Sequence, residues 1–243
     1  MASSPHPAPA PGTLRPEFMI CAAASELKDG DVVFVGIGLP SLACNLARAT
    51  HAPNVVLIYE SGAVDTRPTR IPLSIGDPAL VTGAAMIAPM TDVFQMILQR
   101  GHIDVGFLGA AQIDRHGNIN TTVIGSYDAP TVRLPGSGGA AEIGAHAKRV
   151  LVITTLDRRA FREKVDFVTT PGRRVRRVIT DKCIFDRDND RNELVLSALF
   201  AGTTVEDVRA HVGWDLHVAS HIAMMAAPST HTIMALRKLS AAQ

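Results

Sequence analysis

Three short stretches carry residue types that chemistry uses. Glu60 follows the apolar run Val55-Val56-Leu57-Ile58-Tyr59 and precedes Ser61-Gly62. A carboxylate just past a buried strand faces the crevice where open α/β sheets bind ligands, and there it serves as base, metal ligand or nucleophile. The competing reading is a solvated loop glutamate, and a lone carboxylate does not decide between the two. Gly136-Ser137-Gly138-Gly139-Ala140 places three glycines in four residues. Such a bare backbone either aims N–H groups at a developing oxyanion or is a flexible loop ahead of a helix. Ser137 is not in a G-x-S-x-G elbow, which counts against a serine hydrolase. Gly36-Ile37-Gly38-Leu39-Pro40 joins a strand to a helix and offers backbone N–H groups at the helix start. It lacks the third glycine of a dinucleotide fingerprint, and a tight turn is the plainer reading.

Other features are blander. Arg67 is a candidate partner for the far carboxylate of a dicarboxylic substrate, with a surface ion pair as the simpler reading. The nine histidines form no H-E-x-x-H motif. His217 and His221 share a helical i, i+4 spacing without a nearby carboxylate, so no metal site is expected. Arg173, Arg174, Arg176 and Arg177 make a basic run, read as a solvated loop or, more sharply, as a phosphate or partner-subunit contact. Met86, Met90 and Met96 read as core packing. Cys21, Cys44 and Cys183 are far apart with no C-x-x-C, which argues against a disulfide framework or thiolate zinc site and for a reducing cytoplasm.

The elements that must position these residues follow from pattern. The 243 residues carry 24 Lys and Arg against 23 Asp and Glu, a net charge of +1. That balance leaves no electrostatic footprint for nucleic acid. No apolar run approaches the ~20 residues of a membrane helix. Prolines 5, 7, 9, 11 and 16 mark 1–15 as an expected disordered tail, leaving one domain over 16–243. Short runs at Val32–Val35, Val55–Tyr59 and Val105–Gly109 read as strands, Arg149–Thr154 as a fourth, and Val175–Thr180 and Glu193–Leu199 as two more. Helical spacing is expected over Glu17–Leu27, Ser41–Arg48, Asp92–Arg100 and Gly139–Lys148. A capping box is expected over Thr203–Glu206, opening a helix that runs to His211. Strands alternating with helices predict an α/β fold with a largely parallel sheet.

Taken in order, these pieces resemble the β subunit of class I coenzyme A transferases, the glutaconate type most closely. They are also similar to the C-terminal half of succinyl-CoA:3-oxoacid transferases. The matching segments are Val35–Pro40, Glu60-Ser61-Gly62, Gly109–Asp114, Gly117–Asn120, Gly136–Ala140, Lys164–Thr169 with Pro171-Gly172, and Thr180-Asp181-Lys182. They extend over about 17–228. Each segment is weak alone, and the ordered set is specific. The resemblance implies a three-layer α/β/α open sheet, mostly parallel. It implies Glu60 as the catalytic residue and Gly138 and Gly139 as oxyanion donors, with Gly36 and Gly38 near the coenzyme. It further implies a missing α subunit, a hetero-oligomer such as α2β2, an acyl-CoA thioester as substrate rather than a bound cofactor, and no metal. Family members often carry Asp where this chain has Glu142. Two alternatives stay open: a CoA-thioester or ring-opening hydrolase on the same scaffold, and a non-catalytic partner subunit.

Overall fold

The computed structural model describes residues 15–241, apart from 69 and 71. The expected tail, save Arg15, lies outside the described residues. Among the described residues, fourteen strands run in chain order: β1 Val32–Val35, β2 Val56–Ile58, β3 Ala63–Val64, β4 Met86–Ile87, β5 Val105–Leu108, β6 Gln112–Ile113, β7 Ile119–Asn120, β8 Val123–Gly125, β9 Pro130–Arg133, β10 Arg149–Ile153, β11 Val175–Ile179, β12 Cys183–Asp188, β13 Glu193–Phe200 and β14 Val218–Met225. The helices are α1 Arg15–Ser25, α2 Leu39–Thr50, α3 Met90–Asp92, α4 Ala140–His146, α5 Val205–Arg209 and α6 Thr230–Ser240.

Ten strands form one sheet in the order β14-β13-β12-β11-β10-β5-β1-β2-β3-β4. Its centre, from β11 through β10, β5 and β1 to β2, is parallel. Antiparallel pairings appear outside it, at β11–β12, β12–β13, β2–β3 and β3–β4. The central strands alternate between two apolar cores. Val33, Val35, Leu57, Phe107, Leu151 and Ile153 face the layer of α1, α2 and α6. Phe34, Ile58, Leu108, Val150 and Val152 face a second layer with α4, α5 and the β6–β7 hairpin. Side chains of period two, buried on both faces, produce the continuous apolar runs seen in the sequence. The result is the expected three-layer α/β architecture.

Several local expectations change. The helix expected over Asp92–Arg100 begins as α3 and continues as a π-helix over Val93–Leu98. The capping box lies one residue later than expected. The Thr204 side chain accepts from Asp207 N–H, and Asp207 accepts from Thr204 N–H. His221 stands in β14 and His217 just before it, so their spacing has no helical meaning. Met86, Met90 and Met96, expected in the core, are exposed. Met86 stands in β4 at one edge of the sheet, and Met90 and Met96 follow in α3 and the π-helix.

Candidate functional site

The chain leaves β1 for β2 on one side and later places β5 on the other side of β1. This is a switch point, where open α/β sheets form their ligand crevice beyond the carboxyl ends of the strands. Gly36 follows β1, Glu60 follows β2 by two residues, and Gly109 follows β5. A tight turn sets Glu60 in place. Gly62 N–H donates to Tyr59 O at 3.0 Å, and Tyr59 N–H donates to Ala63 O at 3.0 Å. Tyr59 is fully buried and shares a 3.0 Å hydrogen bond with Ser41. Gly62 has φ +102°, and any side chain there would overlap the carbonyl oxygen of Ala88. The glycine of Glu60-Ser61-Gly62 is therefore a steric requirement.

The glycine-rich segment meets this turn. Gly139 N–H donates to Glu60 Oε2 at 3.2 Å, although 79 positions separate the two in the chain. A methyl group on Gly139 would stand 2.8 Å from Glu60 Oε2 and 2.7 Å from Phe94 Cζ. One on Gly138 would stand 3.8 Å from Glu60 Oε1, and Gly138 has φ +46°. Phe94, from the π-helix, also packs on Phe34 with ring centroids 5.3 Å apart. The packing behind Gly139 is thus aromatic and stiff, while the carboxylate is the side that yields. Glu60 is half-buried and has no ion pair among the described residues.

Around the carboxylate lies a cavity of about 540 Å³, walled by Gly36, Ile37, Gly109, Thr121, Gly138 and Gly139, with Ile75 at one side. Gly38 is not in the wall; with φ +85° it caps α2 from outside the helix. Arg67 is also absent from the wall. It is exposed and lies 3.7 Å from Asp65, so the ion-pair reading of this residue is the one observed.

Most of the remaining motif residues are scaffold. Thr121 N–H donates to Thr169 Oγ1 at 2.9 Å, and Thr121 Oγ1 donates to Gly136 O at 2.8 Å, fixing the glycine segment. Gln112 Nε2 and Gly125 N–H both donate to Asp166 at 2.9 Å. These bonds hold the carboxyl of Asp166 below its ordinary pKa against the opposing effect of burial. Asp114 closes the turn at Gly117 by accepting from His116 N–H, Asn118 N–H and Asn118 Nδ2. Asp181 accepts from Leu156 N–H at 2.8 Å. Glu142, the departure from the family pattern, accepts from Gln99 Nε2 at 3.0 Å and so ties α4 to the π-helix. In the basic run, Arg177 pairs with Asp186 and Glu26, Arg174 reaches Ala147 O, and Arg176 reaches Asn189. Among the described residues, no group of three His, Cys, Asp or Glu side chains is arranged to hold a metal ion.

Sequence reasoning missed Phe94 and Ile75. Neither has a pattern signal: Phe94 reaches the site through a π-helical turn, and Ile75 through an irregular loop.

The model of the coenzyme A transferase family matches residues 17–211. The chain is 48% identical over 240 residues to one of the subunits of 3-oxoadipate CoA-transferase from Pseudomonas knackmussii, covering 93% of this chain and 92% of that one. Its structure superposes on that of glutaconate coenzyme A-transferase from Acidaminococcus fermentans with a TM-score of 0.88, at 31% identity, over 93% of this chain and 94% of that chain. It is also 29% identical to human mitochondrial succinyl-CoA:3-ketoacid coenzyme A transferase 2, where 85% of this chain matches only 41% of the longer protein.

Proposed function

The chain belongs to the coenzyme A transferase family, as a β-type subunit, and from that premise we propose that Glu60 is the nucleophile of a two-step exchange of coenzyme A between carboxylic acids. The observation that carries this reading is the Glu60 carboxylate standing at the switch-point cavity with Gly139 N–H 3.2 Å away.

A free carboxylate is a weak nucleophile toward a thioester, and covalent catalysis divides the barrier. The Glu60 carboxylate attacks the acyl-CoA carbonyl and expels CoA thiolate, leaving a glutamyl–acyl anhydride. The thiolate attacks the glutamyl carbonyl and releases the first carboxylate, so that Glu60 carries CoA as a thioester. The acceptor carboxylate attacks that thioester, expelling the thiolate again. The thiolate then takes the acyl group and regenerates the Glu60 carboxylate. No electron is gained or lost, and no metal is needed.

Gly139 N–H bonds an oxygen of Glu60 itself. After acylation the same donor lies beside the glutamyl carbonyl oxygen. It therefore serves the tetrahedral intermediates formed on the Glu60 carbon, and one such donor is worth ~3–4 kcal/mol. The glycine segment's role as oxyanion site is thus tied to the second and third attacks. Gly138 and Gly36 leave the backbone close enough for a bulky acyl-CoA to approach. An α subunit completes the enzyme, a reading supported by the Pseudomonas knackmussii relative, which is named as one subunit of its enzyme. That same relative favours a 3-oxo dicarboxylic acid as acceptor.

The test uses the α/β complex. Incubated with succinyl-CoA alone, it should hold CoA at Glu60, detected by borohydride or hydroxylamine trapping and peptide mapping. Addition of 3-oxoadipate should discharge it to 3-oxoadipyl-CoA. Trapping at another residue, with full activity in Glu60→Ala, overturns the assignment. Steady release of free CoA without any acceptor favours the hydrolase instead.

A further inference from the structure

The glycine-rich segment must hold one N–H group against Glu60, yet its own composition does little to keep it still. Between Pro135 and Ala140 stand three glycines, and Gly136 and Gly138 have φ +98° and +46°. Glycine gives up more backbone freedom on folding than any other residue, so a fixed geometry here needs anchors from outside. The helix that follows supplies none, since α4 opens from Gly139 without a side-chain cap. Among the described residues, side-chain hydrogen bonds to the backbone of 135–139 come from Glu60 and Thr121. Glu60 is the proposed nucleophile itself. Thr121 holds Gly136 twice: its Oγ1 donates to Gly136 O at 2.8 Å, and its own carbonyl accepts from Gly136 N–H at 2.8 Å. Thr121 and Gly136 both border the Glu60 cavity.

We propose that Thr121 is a positioning residue for the transfer reaction, and that its hydroxyl sets where Gly139 N–H stands relative to the Glu60 carboxylate. The proposal rests on the reading of Glu60 as nucleophile and adds to it the residue that holds the donor in register. Thr121 is itself well founded. Its N–H donates to Thr169 Oγ1 at 2.9 Å, and Thr169 Oγ1 lies 2.6 Å from Thr122 Oγ1 in a shared hydrogen bond. Asn120 Oδ1 accepts from Thr122 N–H at 2.9 Å, while Asn120 Nδ2 donates to Gln112 Oε1 at 2.7 Å. Asn120, Thr169 and Gln112 are buried, and a satisfied polar network in the interior is rigid. Two sequence segments with no part in the exchange chemistry, Gly117–Asn120 and Lys164–Thr169, thus end in one network whose outlet to the site is Thr121. Freed from that hydroxyl, the segment keeps its sequence and loses its alignment on the carboxylate.

The test uses the α/β complex and Thr121→Val, which keeps the shape of the side chain and removes the hydroxyl. Its kcat should fall by about 10-fold or more, the effect of a sub-ångström misplacement, while KM for acyl-CoA stays within about twofold of wild type. Rapid-quench trapping should show the Glu60 thioester forming more slowly by the same factor, and hydrogen exchange over 136–140 should quicken. Thr121→Ser, which restores the hydroxyl, should recover most of kcat. Ser197→Ala is the control: it removes a hydroxyl bond of 3.2 Å to Ile184 O within the sheet, and should lower the thermal midpoint about as much as Thr121→Val with kcat unchanged. Wild-type kcat in a stably folded Thr121→Val overturns the proposal. So does Thr121→Ser as slow as Thr121→Val, or a change confined to KM, which makes Thr121 a substrate contact instead. Full activity in Glu60→Ala removes the nucleophile reading, and this proposal falls with it.

Discussion

The 3.2 Å contact between Gly139 N–H and the Glu60 carboxylate fixes how little room the site has for change. In Gly139→Ala the new methyl group meets Phe94 Cζ at 2.7 Å and Glu60 Oε2 at 2.8 Å. The ring is held against Phe34, whereas the carboxylate hangs on a flexible side chain, so the carboxylate moves. Gly139 has φ −82°, which alanine adopts without strain, so the fold should survive. We expect kcat to fall by about 100-fold, the usual effect of a misplacement of ~1 Å, and the thermal midpoint to fall as well, because moving the carboxylate leaves the overlap with the Phe94 ring in place. Glu60→Asp withdraws the carboxylate by one methylene and should cost a similar factor. Trapping experiments on both variants should show slower formation of the glutamyl thioester. Normal thioester formation in either would separate this contact from the chemistry.

At the level of elements, the loop between β3 and β4 depends on one carboxylate. Asp77 accepts from both Arg70 Nη atoms at 2.7 and 2.8 Å, and from Leu73 N–H and Ala79 N–H at 2.9 Å. Arg70, chiefly, and then the two backbone donors hold its carboxyl well below the ordinary carboxylate range. A depressed folded pKa means stability that is present above the unfolded value of about 4 and lost as pH falls below it. The thermal-midpoint gap between wild type and Asp77→Asn should therefore be constant from about pH 7 to 5 and shrink below about pH 4. A gap that persists unchanged in acid would mean that the ionised carboxylate contributes nothing. Thr204→Ala, which removes the cap of α5, should cost about 1 kcal/mol and leave activity alone. These elements differ in how far the sequence reveals them. β1, β2, β5 and β10 are legible because burial on both faces gives each an apolar run, whereas in β11 Arg176 and Arg177 divide the buried Val175 from Val178 and Ile179. β12 and β14 are not, since the half-buried Asp186 and Asp188 interrupt the one and the exposed Ser220 and His221 the other. The methionines of 86–96 look like core by composition, and only the structure shows them exposed. Glu60 is legible as a strand-end carboxylate. Its meeting with Gly139 is a tertiary fact that spacing does not encode and that only the ordered family motifs anticipate.

Across the whole molecule, the three cysteines sample both cores and so report on how the chain opens. Cys21 and Cys44 lie between the helical layer and the sheet, and Cys183 lies on the opposite side. All three are free and buried. Burial pushes the Cys21 thiol up to about 11 and Cys183 up to about 12, and raises Cys44 further. At pH 8 each thiol is therefore protonated as well as hidden, and the thiolate is the reactive form. Reaction with Ellman's reagent should be negligible in the native protein and reach three thiols in denaturant. The informative measurement is the denaturant dependence of each site, read by mass spectrometry. Cys21 sits in α1 near the start of the described chain, where local fraying sets in first, so it should react earliest. Cys44 and Cys183 are fully buried in different layers joined by one ten-stranded sheet. If 16–243 is one cooperative domain, these two should become reactive at the same denaturant midpoint, because neither layer keeps its packing once the shared sheet opens. Separate midpoints for Cys44 and Cys183 would divide the chain into two folding units and remove the premise that β1, β2 and β5 hold the Glu60 crevice as a single rigid frame.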